Sequence, residues 1–346
     1  MPNQTLSFQP GTIWIDPFSS FASSQPPSQP LPQPVEEQPP QPVSYYYKKF
    51  AMSAPDSKKP WHNYTIMHLY GSRLKPKNGE IGLEIECEGM NLFNSPLNYW
   101  SCHSDGSLRQ YKGHPPVEYV LTEPLNYSTL VTALDYLNYN LLKTKSFLVT
   151  SSRTSVHVHI NCQQLTVKQL FNYILLYIIF EEILIEKFAP ERAGNLFCLR
   201  AKDSEFYLSM LESAITKKSF QGWKEELRYS ACNISSIPKF GSLEFRSLRG
   251  TVDSGTILNW VCMLLNLKQA ALSYESPISI VEDFLNLGPL PFFRKIFSDP
   301  AMRADLQLIP DLSSKLWVGL RLMRDVAYAS KWSDTLNKKK PINEEF

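Results

Sequence analysis

Three short segments of this chain carry acids, imidazoles or a guanidinium at every second position, the spacing at which an extended backbone puts side chains on one face. In Gly82-Leu83-Glu84-Ile85-Glu86-Cys87-Glu88-Gly89, the acids Glu84, Glu86 and Glu88 share a face and Leu83, Ile85 and Cys87 take the other. Three carboxylates side by side repel one another unless water or cations neutralise them, and closely spaced carboxylate oxygens suit Mg²⁺ or Mn²⁺. The same row is equally compatible with a solvated acidic face. Ser155-Val156-His157-Val158-His159-Ile160-Asn161 repeats the layout, with His157 and His159 opposite Val156, Val158 and Ile160. Two imidazoles at this spacing are either metal ligands or a surface pair. In Gly241-Ser242-Leu243-Glu244-Phe245-Arg246-Ser247-Leu248, Glu244 and Arg246 lie opposite Leu243 and Phe245, as functional groups or as a plain ion pair. A fourth segment, Val117-Glu118-Tyr119-Val120-Leu121, sets Glu118 between apolar neighbours.

The set says more than its members. If the four polar faces meet, they make a concave site of about five carboxylates, two imidazoles and an arginine, which divalent cations would have to stabilise. A guanidinium beside metal ions is what phosphoryl transfer requires, since metals neutralise nucleotide phosphates and arginine stabilises charge on the transferred group.

The elements that must hold these residues can be read from periodicity. Alternation places strands at about 79–89, 116–122, 155–161 and 241–248, with another at about 98–103. Helical spacing covers about 126–142, 166–188, 203–216, 253–275 and 313–330, with Thr166 and Asp253 as N-caps and Pro190 stopping the second helix. The strands are half polar, whereas parallel sheets covered on both faces are almost wholly apolar. The expectation is therefore an α+β fold: a mostly antiparallel curved sheet with one working face and helices packed on the other.

The ordered motifs G-L-E-I-E (82–86), D-G-S-L (105–108), E-Y-V-L-T-E-P-L (118–125), H-V-H-I-N (157–161) and L-E-F-R (243–246) resemble those of the amidoligases. These enzymes belong to the glutamine synthetase-like superfamily, which also includes γ-glutamylcysteine ligases. The resemblance covers roughly residues 80–271, and Arg192 with Phe197-Cys198 and Arg228 with Asn233 also fall where that family tends to place such residues. It implies an ATP- and Mg²⁺-dependent carboxylate–amine ligase, with Mn²⁺ as an alternative ion, acting through an acyl phosphate. Glu84, Glu86, Glu118, His157 and Glu244 would be metal ligands, with Glu84 and Glu86 each reaching a different ion and His157 completing the ligand set of the second ion. His159 would face the nucleotide phosphates, and Arg246 would hold the γ-phosphate. Arg228 would help bind phosphate or the carboxylate substrate. The Asp105-Gly106-Ser107 segment is a substrate loop or a tight turn. Arg192 is either a nucleotide contact or a surface ion-pair residue. The chain departs from the family at Ser155, where glycine is common, and at the extra acid Glu88.

Two other readings stand beside the ligase. An H-x-H strand also occurs in metal-dependent amide hydrolases, but His62, His68, His103 and His114 all precede His157 and no histidine follows His159. A non-catalytic nucleotide- or metal-binding protein could keep the same fold. The implied partners are small-molecule or peptide carboxylates and amines, with no nucleic acid and no membrane.

The remaining sequence sets bounds. A length of 346 residues allows two average domains or one large one, and a net charge of +2 gives no global attraction to nucleic acid or anionic lipid. Six cysteines lie far apart without a C-x-x-C pair, as expected of reduced thiols in a cytoplasmic protein. The N-terminus has no basic flank followed by an apolar run, so no secretory signal is expected. Residues 1–60 hold 13 of the 26 prolines, mixed with glutamine and serine, and read as a disordered leader ahead of a catalytic domain over 61–346. The Tyr45-Tyr46-Tyr47-Lys48-Lys49 run in that leader is a small binding element or a solvated stretch.

Overall fold

Among the described residues seven strands form the sheet: β1 (Ile81–Met90), β2 (Trp100–His103), β3 (Val117–Leu121), β4 (Phe147–Val149), β5 (Ser155–Asn161), β6 (Cys232–Asn233) and β7 (Ser242–Arg249). Their order is β2-β3-β1-β5-β7-β6, with β4 paired to the C-terminal end of β1, and every one of these ladders is antiparallel. The computed structural model describes residues 60–71, 74–75, 77–220, 228–330 and 332, which fall within one compact unit, Met52–Phe346. The Pro/Gln-rich leader up to residue 59, with its tyrosine–lysine run, lies outside the described residues.

Alternation along the strands builds two unlike faces. Ile81, Leu83, Ile85 and Cys87 of β1, Val156, Val158 and Ile160 of β5, and Leu243 and Phe245 of β7 are all buried in a single apolar core. Removing each such side chain from water contributes about 1.5–3 kcal/mol, and the sum fixes the strand register, because a slip of one residue would bury the acids instead.

Four long helices complete the core: α1 (Tyr127–Lys143), α2 (Val167–Phe188), α3 (Ser254–Ser273) and α4 (Leu312–Tyr328). α2 is buried along most of its length, with the rings of Tyr173 and Tyr177 against Phe245 of β7. A reciprocal Thr166–Gln169 capping box opens it, and it ends at Phe188, just before Pro190. Asp253 caps α3 by accepting from the Thr256 N–H. α4 approaches α2 so closely that a Cβ on Gly319 would lie 2.6 Å from the Ile179 Cα.

The five strands and five helices expected from periodicity are present. The expected helix over about 203–216 is Glu205–Lys217. Helices that periodicity does not show also form, short ones at Ile66–Tyr70 and Ile237–Phe240 and a later run of three at Pro277–Leu287, Pro289–Ile296 and Pro300–Leu306. In that later run the first residue of every helix is proline, which reads as a breaker in sequence but suits the first helical position, where no N–H bond is needed. β4 and β6, at three and two residues, are too short to show alternation. No helix among the described residues is long and apolar enough to cross a membrane.

One irregularity bears on the site. β5 and β7 pair His159 with Glu244 and Val158 with Phe245, but then Val156 with Leu248, so β7 carries one extra residue at Arg246–Ser247. This bulge keeps Leu248 on the core face while Arg246 stays on the polar face beside His157.

Candidate functional site

Register brings the polar residues together. Glu86 pairs with Glu118 across β1 and β3, Glu84 with His157 across β1 and β5, and His159 with Glu244 across β5 and β7. Cross-strand pairs of this kind hold Cβ atoms about 4.5–5.5 Å apart. The resulting cleft on the working face has a volume of about 320 Å³. Its lining includes Glu84, Glu86, Asp105, Glu118, His157, His159, Arg228, Glu244 and Arg246. Of the ten residues singled out from the sequence, these nine converge on one cavity.

His157 is the hub. Its Nδ1 lies 3.0 Å from Glu84 Oε2, 3.8 Å from Glu244 Oε1 and 3.4 Å from Arg246 Nη1, while its Nε2 lies 3.7 Å from Glu86 Oε1. Arg246 also donates to Glu244, whose other oxygen accepts from Asn233 Nδ2 at 2.6 Å. His159 Nε2 is buried without a hydrogen-bond partner, 3.3 Å from Glu84 Oε1 but out of alignment with it, while Nδ1 meets Ser242 Oγ at 3.2 Å.

The site's electrostatics follow from this packing. Burial works to raise the Glu84 pKa, but the hydrogen bond with His157 and the positive charge of His159 and His157 close by outweigh it and hold the carboxyl well below its usual range. Glu244 is likewise buried, and His159, Arg246 and His157 pull it down. Glu118 goes the other way: burial, then the charges of Glu84, Glu86 and Asp105, push it up to about 8. A carboxyl held this high at neutral pH is one that a cation would deprotonate.

Those donors fit divalent ions. Two groups of ligand atoms, Glu84–His157–Glu244 and Glu86–Glu118–His157, each lie within 4.8 Å of one another. They offer mainly carboxylate oxygen, the donor that suits Mg²⁺ and Mn²⁺, with a single shared imidazole. The unpartnered His159 nitrogen and the Arg246 guanidinium sit beside them.

Arg192 is the exception among the singled-out residues. It is 2% exposed and does not line the cleft. Its Nη1 donates to the Thr154 carbonyl at 2.9 Å and its Nη2 to the Arg246 carbonyl at 3.4 Å, so it braces the edge of β5 and the β7 bulge from below. Its guanidinium faces backbone carbonyls rather than the cleft or the protein surface. Glu88 is buried at the end of β1 and accepts from the Arg109 N–H at 2.7 Å, anchoring the loop that carries Asp105. Within that loop the Asp105 carboxylate accepts from the Ser107 N–H at 2.6 Å, so it is a tight turn that also lines the cleft.

Several lining residues were not evident from sequence. Ser155, noted in the sequence only as a departure from the family, and Ser242, which lines the adjoining cavity, lie on the polar faces of β5 and β7 where alternation alone could have found them. Arg153 and Tyr229 lie in loops without periodicity. Arg153 donates to the Ser107 carbonyl at 2.6 Å and lies over Phe197, while Arg228 lies over the Tyr229 ring with its guanidinium carbon 4.7 Å from the centroid. Beyond Glu84 and His159 the cleft continues into a second cavity of about 180 Å³, walled partly by Val120, Pro124 and Phe240.

The family model described as "Putative amidoligase enzyme" matches residues 86–268, more than half of the chain and most of the sheet. No curated protein matches the chain closely.

Proposed function

Since the chain belongs to the amidoligase family, whose description is that of a ligase-type enzyme, we propose that it uses ATP to join a carboxyl group to an amine. The observation that carries this reading is the meeting of five carboxylates, two imidazoles and Arg246 around one cavity. Their arrangement supports the ligand set that the resemblance implies.

Glu84, His157 and Glu244 would hold one divalent ion, and Glu86 with Glu118 the other. Ions there would screen the triphosphate's negative charge from an incoming carboxylate. The protein's own task is to keep these ligands apart from solvent and correctly turned. Asn233 fixes Glu244, and the β7 bulge keeps Arg246 on the cleft side. Arg246 supplies positive charge where the phosphoryl group crosses between oxygens.

In this proposal a carboxylate oxygen of the substrate attacks the γ-phosphorus of ATP, the bond to the β–γ bridging oxygen breaks, and ADP leaves. The amine nitrogen then attacks the acyl carbon. The C–O bond to phosphate breaks, inorganic phosphate departs, and the nitrogen loses a proton to give the amide. Arg228 and Arg153, which line the cleft, would meet a substrate carboxylate.

Purified protein incubated with ATP, Mg²⁺ and pairs of amino acids, peptides and amines should release ADP and phosphate only when a matching acid and amine are both present. The product should weigh one water less than the pair. Absence of turnover across the panel, together with absence of nucleotide–metal binding, would remove the reading. Metal-dependent amide cleavage without nucleotide would replace it with a hydrolase.

A further inference from the structure

His157 belongs to both candidate ion groups, yet an imidazole ordinarily gives its lone pair to one metal. The neighbour that decides which one is Ser155, two residues earlier on the same face of β5. Ser155 is 2% exposed, and its Oγ donates to Glu86 Oε2 at 2.5 Å. A hydroxyl has one proton and a carboxylate can only accept, so that proton points at Glu86. The serine oxygen then faces His157 Nε2, 2.8 Å away, with lone pairs alone. Nε2 must therefore carry a hydrogen, and Nδ1 is the nitrogen left for a second proton or a metal ion to occupy.

That nitrogen faces Glu84 Oε2 at 3.0 Å and Glu244 Oε1 at 3.8 Å. Two lone-pair-bearing atoms 3.0 Å apart repel unless a proton or a metal ion lies between them. The Glu86–Ser155–His157 chain thus has the form of an outer-shell relay, in which a carboxylate fixes a ligating histidine's tautomer through a hydroxyl.

We propose that Ser155 is a positioning residue that commits His157, through Nδ1, to the Glu84–Glu244 ion and withholds it from the Glu86–Glu118 ion. The inference rests on the reading of these groups as metal ligands and adds the residue that turns the imidazole toward one ion rather than the other. The second ion is then left with oxygen donors. Removing the hydroxyl frees Nε2 and lets the ring turn toward either group.

The test is histidine nitrogen spectroscopy on the full chain labelled with ¹⁵N-histidine, using Zn²⁺ as a diamagnetic, imidazole-seeking probe, with His157 assigned from the His157→Gln variant. The expected result is His157 protonated at Nε2 and ligated at Nδ1. Ligation through Nε2 would overturn this assignment and leave the metal reading standing, whereas no zinc-dependent shift at His157 would overturn both. Calorimetry with Mn²⁺ supplies an independent readout. Ser155→Ala should weaken the tighter binding step about 10-fold or more, the usual effect of losing an outer-shell partner. Affinity within about twofold of the unaltered protein would contradict the role.

Discussion

At the scale of single residues, the account depends on charge held in place by opposite charge. Glu84 and Glu244 are kept ionised by His157, His159 and Arg246, so each substitution should act through the ion rather than the fold. Glu84→Gln and Glu244→Gln should abolish tight Mn²⁺ binding in calorimetry while circular dichroism stays unchanged. Arg246→Ala should keep the ions and lose roughly 100- to 1000-fold in kcat, the scale of removing one transition-state donor. Glu118 gives a pH signature. Its carboxyl holds a proton up to about 8 in the folded protein but only to 4.5 when unfolded. Its contribution to stability is thus complete below about 4.5 and is lost as pH rises toward 8. His159, raised mainly by Glu84 and Glu244 against burial, slopes the same way, and so does Glu181, which burial pushes up to about 8. The ion-free protein should melt at progressively lower temperature from pH 5 to 8, and Glu118→Gln should make that slope shallower. A melting temperature that rises over this range would contradict the electrostatic picture. The acids and imidazoles were legible in the sequence because alternation exposes them. Arg192 was not, since whether an arginine reaches a ligand or a carbonyl depends on loop geometry that spacing does not encode.

At the scale of elements, the site depends on how β7 is delivered to β5. The turn into β7 passes through Gly241 at φ +71°, where a Cβ would also press to 2.5 Å from Gln163 Cγ. Gly241→Ala should cost about 1–3 kcal/mol for the left-handed backbone alone. It should also weaken ion binding, because Glu244 lies three residues on. Gly319 offers the contrast. It is needed only for the close crossing of α4 over α2, so Gly319→Ala should cost about 1–3 kcal/mol by overpacking and leave ion affinity unchanged. Denaturant titration and Mn²⁺ calorimetry on both variants would separate the two effects, and an equal loss of affinity in both would deny β7 its special part. The strands and long helices were readable because each sustains its period over several residues. The bulge at Arg246–Ser247 was not, since one extra residue in a strand alters the pairing without altering the alternation seen locally in Leu243, Glu244, Phe245 and Arg246.

For the whole molecule, one sheet separates two chemistries. An apolar face carries the stability, in the core around α2, and a polar face gathers charges that would be costly without cations. Ion binding should accordingly stabilise the protein globally, by about 2.7 kcal/mol at a concentration 100 times the Kd. Thermal melts with and without Mg²⁺ would register this as an upward shift that Glu244→Gln removes. The antiparallel plan was legible from half-polar strands. The run of short helices after residue 276 was not, because prolines at their first positions mimic breaks. The most direct measurement is a calorimetric titration with a non-hydrolysable ATP analogue in Mg²⁺. Binding should require the metal, occur once per chain, and vanish in Glu244→Gln with the fold intact. Binding that ignores both the metal and that substitution, or no binding at all, would contradict the claim that this cleft clamps a cation-bound triphosphate.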